Sequence, residues 1–220
     1  MKLSEAVRGV SGTLAADGEF SCIAFATEQE QSQFLTFLEK EKFLPALDNS
    51  KISCVLTTSA LAEKIPPHIK GVFLCDRPKA ALFEIHNRLA RHPDYVGASA
   101  ATVVGEGCSI SPLAAIDCEN VVIGDRVTIE PFVVIKGRVI IGNDVTIRSG
   151  AVIGCKGFSF SKDAQGQNVS VEDTARIIIE DHVEIFEQVA ISTGIFPWEE
   201  TRIGENTKVD AQCFISHGSH

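Results

Sequence analysis

Aliphatic residues recur at every sixth position over the second half of the 220-residue chain, with one extra residue before Ile123 and two longer interruptions. These fifteen anchor positions are Val104, Ile110, Ile116, Ile123, Ile129, Ile135, Ile141, Ile147, Ile153, Ile179, Ile185, Ile191, Ile203, Val209 and Ile215. A period of six fits neither an α-helix nor an alternating strand. It predicts a parallel β-helix, in which three short strands and three corners form each coil of about 18 residues and the anchors point inward. Successive coils should stack about 4.8 Å apart.

The residues that follow the anchors are suited to tight corners. The pairs Gly124-Asp125 and Gly142-Asn143, for example, each come directly after an anchor. Glycine, asparagine and aspartate tolerate the backbone conformations of sharp turns, so we expect them to form the corners. An ordinary β-sandwich is the alternative, but its strands would alternate with a period of two. The fifteen anchors in phase favour the β-helix.

Two segments interrupt the repeat, and loops on a rigid scaffold often carry function. The first runs from about 155 to 176 and contains Gly157-Phe158-Ser159-Phe160. The second runs from 192 to 202 and contains Trp198, the only tryptophan in the chain. Aromatic side chains in such loops either line a ligand site or pin the loop to the coil, and the sequence leaves both alternatives open.

Residues 1–91 lack the six-residue period and predict a small α/β domain. Apolar runs at 52–57 and 71–75 predict short buried strands. The segment 78–91 predicts an amphipathic helix with proline near its start, and 34–47 predicts a further short helix. The apolar face of the first of these helices comprises Leu82, Ile85 and Leu89.

A linker at 92–99 follows this region. We therefore divide the chain into a small α/β domain over 1–96 and a β-helix domain over 97–220. We predict that two of the histidines lie on the surface. We expect His86 to be a solvated or capping side chain on the helix, and His182 to lie on a polar corner of the coil.

Composition narrows the class of protein. A formal net charge of −9 argues against nucleic-acid binding, which requires clusters of lysine and arginine. The chain is 45% hydrophobic, yet no apolar run approaches the roughly 20 residues that a membrane span needs, and the N-terminus lacks the apolar core of a signal peptide. The seven cysteines are scattered without a CxxC pair, which indicates free thiols in the cytoplasm and predicts no metal site.

Three segments carry a family resemblance. Residues 35–43 lie in the first domain, Gly157-Phe158-Ser159-Phe160 lies in the first interruption, and 210–217 reads Asp-Ala-Gln-Cys-Phe-Ile-Ser-His. Together they resemble the UDP-3-O-acylglucosamine N-acyltransferases, the enzymes of lipid A synthesis in Gram-negative bacteria. The last two segments are similar to that family's Gly-Phe-Gly-Tyr and Asp-Asn-Gln-Cys-Gln-Ile-Ala-His, and the resemblance covers nearly the whole chain.

This resemblance implies a fold and a substrate site. Hexapeptide coils of this kind are left-handed, so we expect an α/β domain followed by an all-β, single-stranded, left-handed parallel β-helix. In the family, two aromatic residues sandwich the uracil, and these correspond to Phe37 and Phe43, with Lys40 between them. Phe158 and Phe160 correspond to the loop motif, which we expect to contact substrate. Core packing is the alternative for Phe37 and Phe43.

The resemblance also implies the catalytic pair, with His217 as the base and Asp210 as its support. N-acylation from a thioester requires a neutral amine, and a histidine that titrates near neutrality can accept the amine's proton. A nearby carboxylate would hold the imidazole in one tautomer. Asp210 directly follows the anchor Val209, and His217 lies two residues after the anchor Ile215, so consecutive hexads place them around one corner. A solvated, inert histidine is the alternative.

The expected partners follow from the same resemblance. They are a UDP-amino sugar as acceptor, acyl carrier protein (or an acyl-CoA) as the donor co-substrate, and further copies of the chain in a homotrimer, with no bound cofactor. An acetyl-CoA-dependent sugar acetyltransferase and a catalytically silent UDP-sugar-binding module are the alternatives.

Departures from the family pattern bear on those alternatives. Lys40 and Glu41 stand where the family has Asn and Pro, and Ser192-Thr193-Gly194 stands where it has Asp-Arg-Gly. Members of the family continue for several coils beyond the segment that matches His217. We therefore expect either a shortened form or a divergent paralogue.

Overall fold

The computed structural model describes residues 1–163 and 165–220. The chain forms two compact units, one of Met1–Tyr95 with Ser159–Glu172 and the other of Val96–Phe158 with Asp173–His220. The sequence-based division kept 159–172 with the coil, whereas the structure places this segment in the first unit. The physical reason is that side chains of a helix in the first unit hydrogen-bond to its backbone.

A five-stranded sheet forms the centre of the first unit. Its strands are β1 (Thr13–Ala16), β2 (Cys22–Ile23), β3 (Phe34–Leu38), β4 (Ile52–Thr57) and β5 (Gly71–Leu74). The spatial order is β1-β5-β4-β3-β2, and all neighbours are parallel except β1 and β5. Both predicted strands are confirmed as β4 and β5. Both strands lie inside the sheet, β4 between two parallel neighbours and β5 between parallel β4 and antiparallel β1.

Helices connect and cover this sheet. They are α1 (Leu3–Ala6), α2 (Pro78–Leu89) and α3 (Pro93–Val96), with 3₁₀ segments at Glu41–Asp48 and Ser59–Lys64. The amphipathic helix is confirmed as α2, and its predicted apolar face is buried. The helix expected over 34–47 is wrong, because its first half pairs with β4 as a strand. Pro45 lies within the second half, where a proline is incompatible with an α-helix interior.

The second unit is a parallel β-helix. Its strands are β6 (Val103–Val104), β7 (Ser109–Ile110), β8 (Ala115–Ile116), β9 (Val121–Ile123), β10 (Thr128–Ile129), β11 (Val134–Ile135), β12 (Val139–Ile141), β13 (Thr146–Ile147), β14 (Val152–Cys155), β17 (Arg176–Ile179), β18 (Glu184–Ile185), β19 (Ala190–Ser192), β20 (Glu200–Ile203), β21 (Lys208–Val209) and β22 (Phe214–Ile215). The two strands between β14 and β17, β15 (Phe160–Lys162) and β16 (Asn168–Ser170), form an antiparallel hairpin in the first unit.

The coil strands form three parallel sheets of five strands each. Their orders are β6-β9-β12-β17-β20, β7-β10-β13-β18-β21 and β8-β11-β14-β19-β22. Anchors stack on anchors, as where Ile129 pairs with Ile147 and Ile147 with Ile185. The anchors from Ile123 to Val209 are buried, which confirms the predicted period. Ile110, Ile116 and Ile215 are partly buried. Val104 is 47% exposed because the first coil has a neighbouring coil on one side only.

The corners differ from the expected glycine, asparagine and aspartate turns. Nine residues, each three positions before an anchor, have left-handed φ values between 56° and 64°, and these are Asn120, Arg126, Phe132, Arg138, Asp144, His182, Gln188, Asn206 and Gln212. Arginine, phenylalanine, histidine and glutamine therefore occupy conformations that side chains usually avoid. The surface position expected for His182 is confirmed, since its side chain is 51% exposed.

The glycines after the anchors serve close stacking of the coils. A Cβ atom on Gly124 would lie 2.6 Å from the Gly142 carbonyl oxygen, and one on Gly142 would lie 2.9 Å from the Asp181 amide nitrogen. Side chains beside these glycines bond to backbone amides of the preceding coil. Asn143 Oδ1 accepts from Asp125 N at 2.9 Å, and Asp181 Oδ1 accepts from Asn143 N at 2.7 Å. Glycine at this position thus lets polar side chains link the coils.

The described part of the chain contains no helix that is long and apolar enough to cross a membrane.

Candidate functional site

The predicted catalytic residues lie on the last coil of the β-helix. Asp210 follows β21 and His217 follows β22, and both side chains are exposed. Asp210 Oδ1 accepts a hydrogen bond from Ala211 N at 2.8 Å. In the part of the chain that the structure describes, no hydrogen bond or ion pair joins Asp210 to His217. Because catalytic hydrogen bonds often tighten only around substrate, their pairing stays a prediction.

The backbone that follows His217 is held by two neighbouring residues of β20. Thr201 Oγ1 accepts from Gly218 N at 3.1 Å and donates to Ser192 O at 3.1 Å. Arg202 N donates to Ser219 O at 2.8 Å. Both Thr201 and Ser192 are fully buried. These contacts fix the turn that presents the His217 imidazole to solvent.

Ser192, one of the departures from the family pattern, takes part in this support. Its buried hydroxyl donates to Ile215 O at 3.3 Å, and Thr193 Oγ1 donates to Ala175 O at 2.8 Å. Hydroxyl side chains at these positions bond to backbone carbonyls, so their role in this structure is to hold neighbouring coils together.

A charged surface lies beside Asp210. Phe186 precedes Asp210 by one coil, and its backbone N–H donates to Val209 O at 3.0 Å. The Arg148 guanidinium lies 5.2 Å from the centre of the Phe186 ring and forms ion pairs with Glu130 and Glu184. Hydrogen bonds from Ser149 lower the pKa of Glu130, which keeps this carboxylate ionised. The face next to Asp210 therefore carries both signs of charge.

The first interruption of the repeat carries Phe158 and Phe160. Phe158 is 93% exposed and belongs to the second unit, whereas Phe160 begins β15 in the first unit and is 46% exposed. The base of the loop is held where Gly157 N donates to Asp173 Oδ2 at 2.8 Å. The role of these two exposed aromatic side chains in substrate binding stays a prediction.

The second interruption is bonded to the chain before β17, where Thr174 Oγ1 donates to Ile195 O at 2.6 Å. Phe196 is fully buried, and its ring stacks on that of Trp198 with centroids 5.9 Å apart and planes inclined by 14°. Glu199 Oε2 accepts from the backbone amides of Ile195 and Phe196. Aromatic side chains in this loop were expected either to line a ligand site or to pin the loop to the coil, and the burial of Phe196 favours pinning for this residue.

An aromatic group lies in the first unit, where the uracil site is predicted. The ring centroid of Phe37 lies 6.4 Å from that of Phe25 in an edge-to-face contact. Phe43 is 54% exposed, with Lys42 Nζ 4.8 Å from its ring centroid, so core packing is wrong for Phe43. The side chain of Lys40 is exposed at the start of the Glu41–Asp48 segment.

Sequence reasoning missed Phe25, which connects this group to helix α2. Its ring contacts Phe37 on one side and lies 6.4 Å from the Phe83 ring on the other. Phe25 lies two residues beyond the short strand β2, which has only two residues and no pattern that would reveal it. A prediction of that strand would have placed Phe25 at the carboxyl edge of the sheet, where ligands bind in open parallel sheets.

The surface position expected for His86 is wrong. The side chain is fully buried, with Nδ1 3.1 Å from Tyr95 Oη and Nε2 2.8 Å from Glu172 O. A carbonyl oxygen only accepts, so Nε2 carries the proton and donates to Glu172, and Tyr95 can donate to Nδ1. Burial lowers the pKa of His86, which favours this neutral form.

The described residues contain no cluster of three or more histidine, cysteine, aspartate or glutamate side chains that could hold a metal ion. All seven cysteines are free thiols. Burial raises the pKa of Cys22, Cys54 and Cys75 to about 11, so these thiols are poor nucleophiles.

Comparison with known proteins supplies relatives for the whole chain. The family model for the bacterial transferase hexapeptide (six repeats) matches residues 120–155. UDP-3-O-acylglucosamine N-acyltransferase of Helicobacter hepaticus is 31% identical over 232 residues, covering 94% of this chain and 67% of the relative. The proteins of that name from Coxiella burnetii and Helicobacter pylori are 28% and 26% identical. They cover 98% and 99% of this chain, and 69% of each relative is matched.

Proposed function

Since the chain belongs to the UDP-3-O-acylglucosamine N-acyltransferase family, we propose that it transfers a 3-hydroxyacyl chain from acyl carrier protein to the 2-amine of a UDP-3-O-acylglucosamine in lipid A synthesis. The observation that supports this most directly is the exposed imidazole of His217, on a turn whose next two residues bond to Thr201 and Arg202. A fixed and accessible base is what the reaction needs.

In the proposed reaction the amine lone pair attacks the thioester carbonyl carbon. As the C–N bond forms, the nitrogen becomes positively charged, and His217 accepts its proton. The C–S bond then breaks, and the imidazolium returns that proton to the leaving thiolate. Asp210 stabilises the imidazolium between these two steps.

The nucleotide end of the acceptor is assigned to the first unit. Phe37 and Phe43 offer aromatic faces for the uracil, and Lys40 and Lys42 offer positive charge for the diphosphate. We assign Phe158 and Phe160 to contacts with the remainder of the substrate. We place the reaction in the cytoplasm, a reducing compartment in which seven free thiols persist.

The test of the base compares two exposed histidines of the second unit. We expect His217→Ala to lower kcat by about 10²- to 10⁴-fold with UDP-3-O-acylglucosamine as acceptor and acyl carrier protein as donor. His182→Ala, the matched control, should keep the wild-type rate. Full transfer by His217→Ala would overturn the mechanism. A preference for acetyl-CoA would replace the proposed donor, and UDP-sugar binding without turnover in the wild type would identify a silent binding module.

We further propose a homotrimer, because two of the three β-helix faces present apolar side chains outward. One face exposes Val103, Val122 and Ile140, and another exposes Phe214. The third face instead presents a polar column of Ser109, Thr128, Thr146, Glu184 and Lys208. A cyclic assembly needs two different faces that meet each other, which two apolar faces can provide.

This assembly can be tested by sedimentation. The double variant Val122→Glu/Ile140→Glu places charge on an apolar face and should shift a trimer towards monomer. Thr128→Glu, on the polar face, should leave the sedimentation coefficient unchanged. A monomeric wild type at micromolar concentration would contradict the proposal.

A further inference from the structure

The β15–β16 hairpin of the first unit lies along helix α2 and is bonded to it at both ends. At the turn of the hairpin, Arg77 at the start of α2 donates through Nη2 to Lys162 O at 2.6 Å and through Nη1 to Asp163 O. The turn is closed by its own bonds, since Asp163 Oδ1 accepts from Gln165 N and Gln167 N. Arg77 therefore holds a preformed turn.

The last turn of α2 holds the other end of the hairpin. Asn87 Nδ2 donates to Ser170 O at 2.9 Å, and Asn87 Oδ1 accepts from Glu172 N at 2.8 Å. The neighbouring His86 donates to Glu172 O at 2.8 Å. The Asn87 amide thus both donates to and accepts from the backbone, as a neighbouring strand would. The buried imidazole of His86 adds a second hydrogen bond to Glu172.

The bonds that Arg77, His86 and Asn87 make to this segment all reach backbone atoms, those of Lys162, Asp163, Ser170 and Glu172. They therefore fix where its strands lie without depending on which side chains the strands carry. Phe160 pairs across the hairpin with Ser170, the residue that Asn87 holds. The position of its exposed ring consequently depends on Arg77, His86 and Asn87.

We propose that Arg77, His86 and Asn87 are positioning residues that set the Phe160 strand for binding of the UDP-amino sugar acceptor. This inference rests on the proposed function. Its alternative is that the three residues only stabilise the fold, in which case acceptor binding would not respond to them specifically.

Arg88 offers a matched control on the same helix. Its guanidinium donates to the backbone oxygens of Arg8 and Ala6, so Arg88→Ala removes bonds of the same type that do not touch the hairpin. Arg77→Ala and Asn87→Ala remove the two points of attachment in turn. For the buried histidine, His86→Leu removes the donor, and His86→Gln retains an amide donor.

The experiment measures KM for UDP-3-O-acylglucosamine and kcat with the full chain, together with hydrogen exchange over 159–172. Each variant that releases the hairpin should raise KM about fivefold or more with kcat within about twofold, because one lost hydrogen bond is equivalent to roughly that factor. Exchange over 159–172 should accelerate in the same variants. Arg88→Ala should keep the wild-type KM, and His86→Gln should recover most of what His86→Leu loses.

An unchanged KM in Arg77→Ala and Asn87→Ala, with faster exchange in the hairpin, would overturn the inference while leaving the proposed function intact. An equal rise of KM in Arg88→Ala would also overturn it, since the effect would then reflect general destabilisation. A wild type that neither transfers the acyl chain nor binds UDP-3-O-acylglucosamine by calorimetry would overturn the proposed function itself.

Discussion

The two units of this protein are stabilised over different distances along the chain. In the second unit each anchor packs on the equivalent anchors of the neighbouring coils, as Ile147 does on Ile129 and Ile185. In the first unit, contacts that hold the structure together join segments far apart in the sequence. His86, for example, hydrogen-bonds to Glu172, which lies 86 positions along the chain. The six-residue repeat produces the regular β-helix of the second unit. The first unit has no repeat, so its aromatic and positioning side chains cannot be identified from a sequence period.

The largest effect that separates the two units should come from the coil interior. Ile147→Ala leaves a cavity between two coils and should lower the free energy of unfolding of the second unit by about 2–5 kcal/mol. Thr146→Ala, the adjacent outward position on the same strand, should change it by less than about 0.5 kcal/mol. Hydrogen exchange in denaturant reports each unit separately.

The pattern of exchange sharpens the comparison further. Because repeat architectures are stabilised between nearest neighbours, Ile147→Ala should accelerate exchange most in β10, β13 and β18. Uniform acceleration over the whole chain would show that the two units unfold together and that the distinction between them has no energetic basis.

The predictability of the fold follows the same division. The anchors could be identified from the sequence because they recur every six residues in adjacent hexads. Those from Ile123 to Val209 are buried, as expected. The helix predicted over 34–47 failed because pairing of Phe34–Leu38 with β4 depends on a strand farther along the chain. The prediction that glycine, asparagine and aspartate form the corners was incomplete for another reason. Coil stacking enforces a left-handed backbone even on Phe132 and Arg138.

The candidate site was predictable only in part. Sequence spacing placed Asp210 and His217 in consecutive hexads of one coil, but it does not specify side-chain contact, and the structure shows Asp210 bonded to Ala211 N instead. His86 lies beside Ile85 on the buried side of α2, which was a usable signal. Its partners, Tyr95 and Glu172, could not be read from the helix pattern.

The stabilities of the two units should also depend differently on pH, an effect smaller than that of Ile147→Ala. The buried His86 has a pKa lowered from its ordinary 6.5, so the unfolded state binds its proton first as pH falls. Stability of the first unit should therefore decline below about pH 6.5. In the coil, hydrogen bonds lower the pKa values of Asp144 and Asp181 from 3.8, so these carboxylates contribute stability that is lost only below that pH.

Between pH 6.5 and 4.5, acidification should consequently weaken the first unit and spare the second. His86→Gln, which has no titrating group, should remove this pH dependence, as measured by urea titrations followed by hydrogen exchange. Equal weakening of both units in this window, or an unchanged slope in His86→Gln, would contradict the assignment to His86.

The smallest effect tests the strain stored at the corners of the coil. Gln188 has a φ of 59° and an exposed side chain, whereas asparagine adopts this left-handed conformation more readily. Gln188→Asn should therefore stabilise the second unit by up to about 1 kcal/mol. Glu187→Asn, at the exposed neighbour outside the left-handed region, should give no gain. Destabilisation by Gln188→Asn would mean that the hydrogen bond from Gln212 Nε2 to Gln188 Oε1, 3.1 Å long, outweighs the strain. The gain, if found, would show that the stacked coils impose corner geometry on residues poorly suited to it.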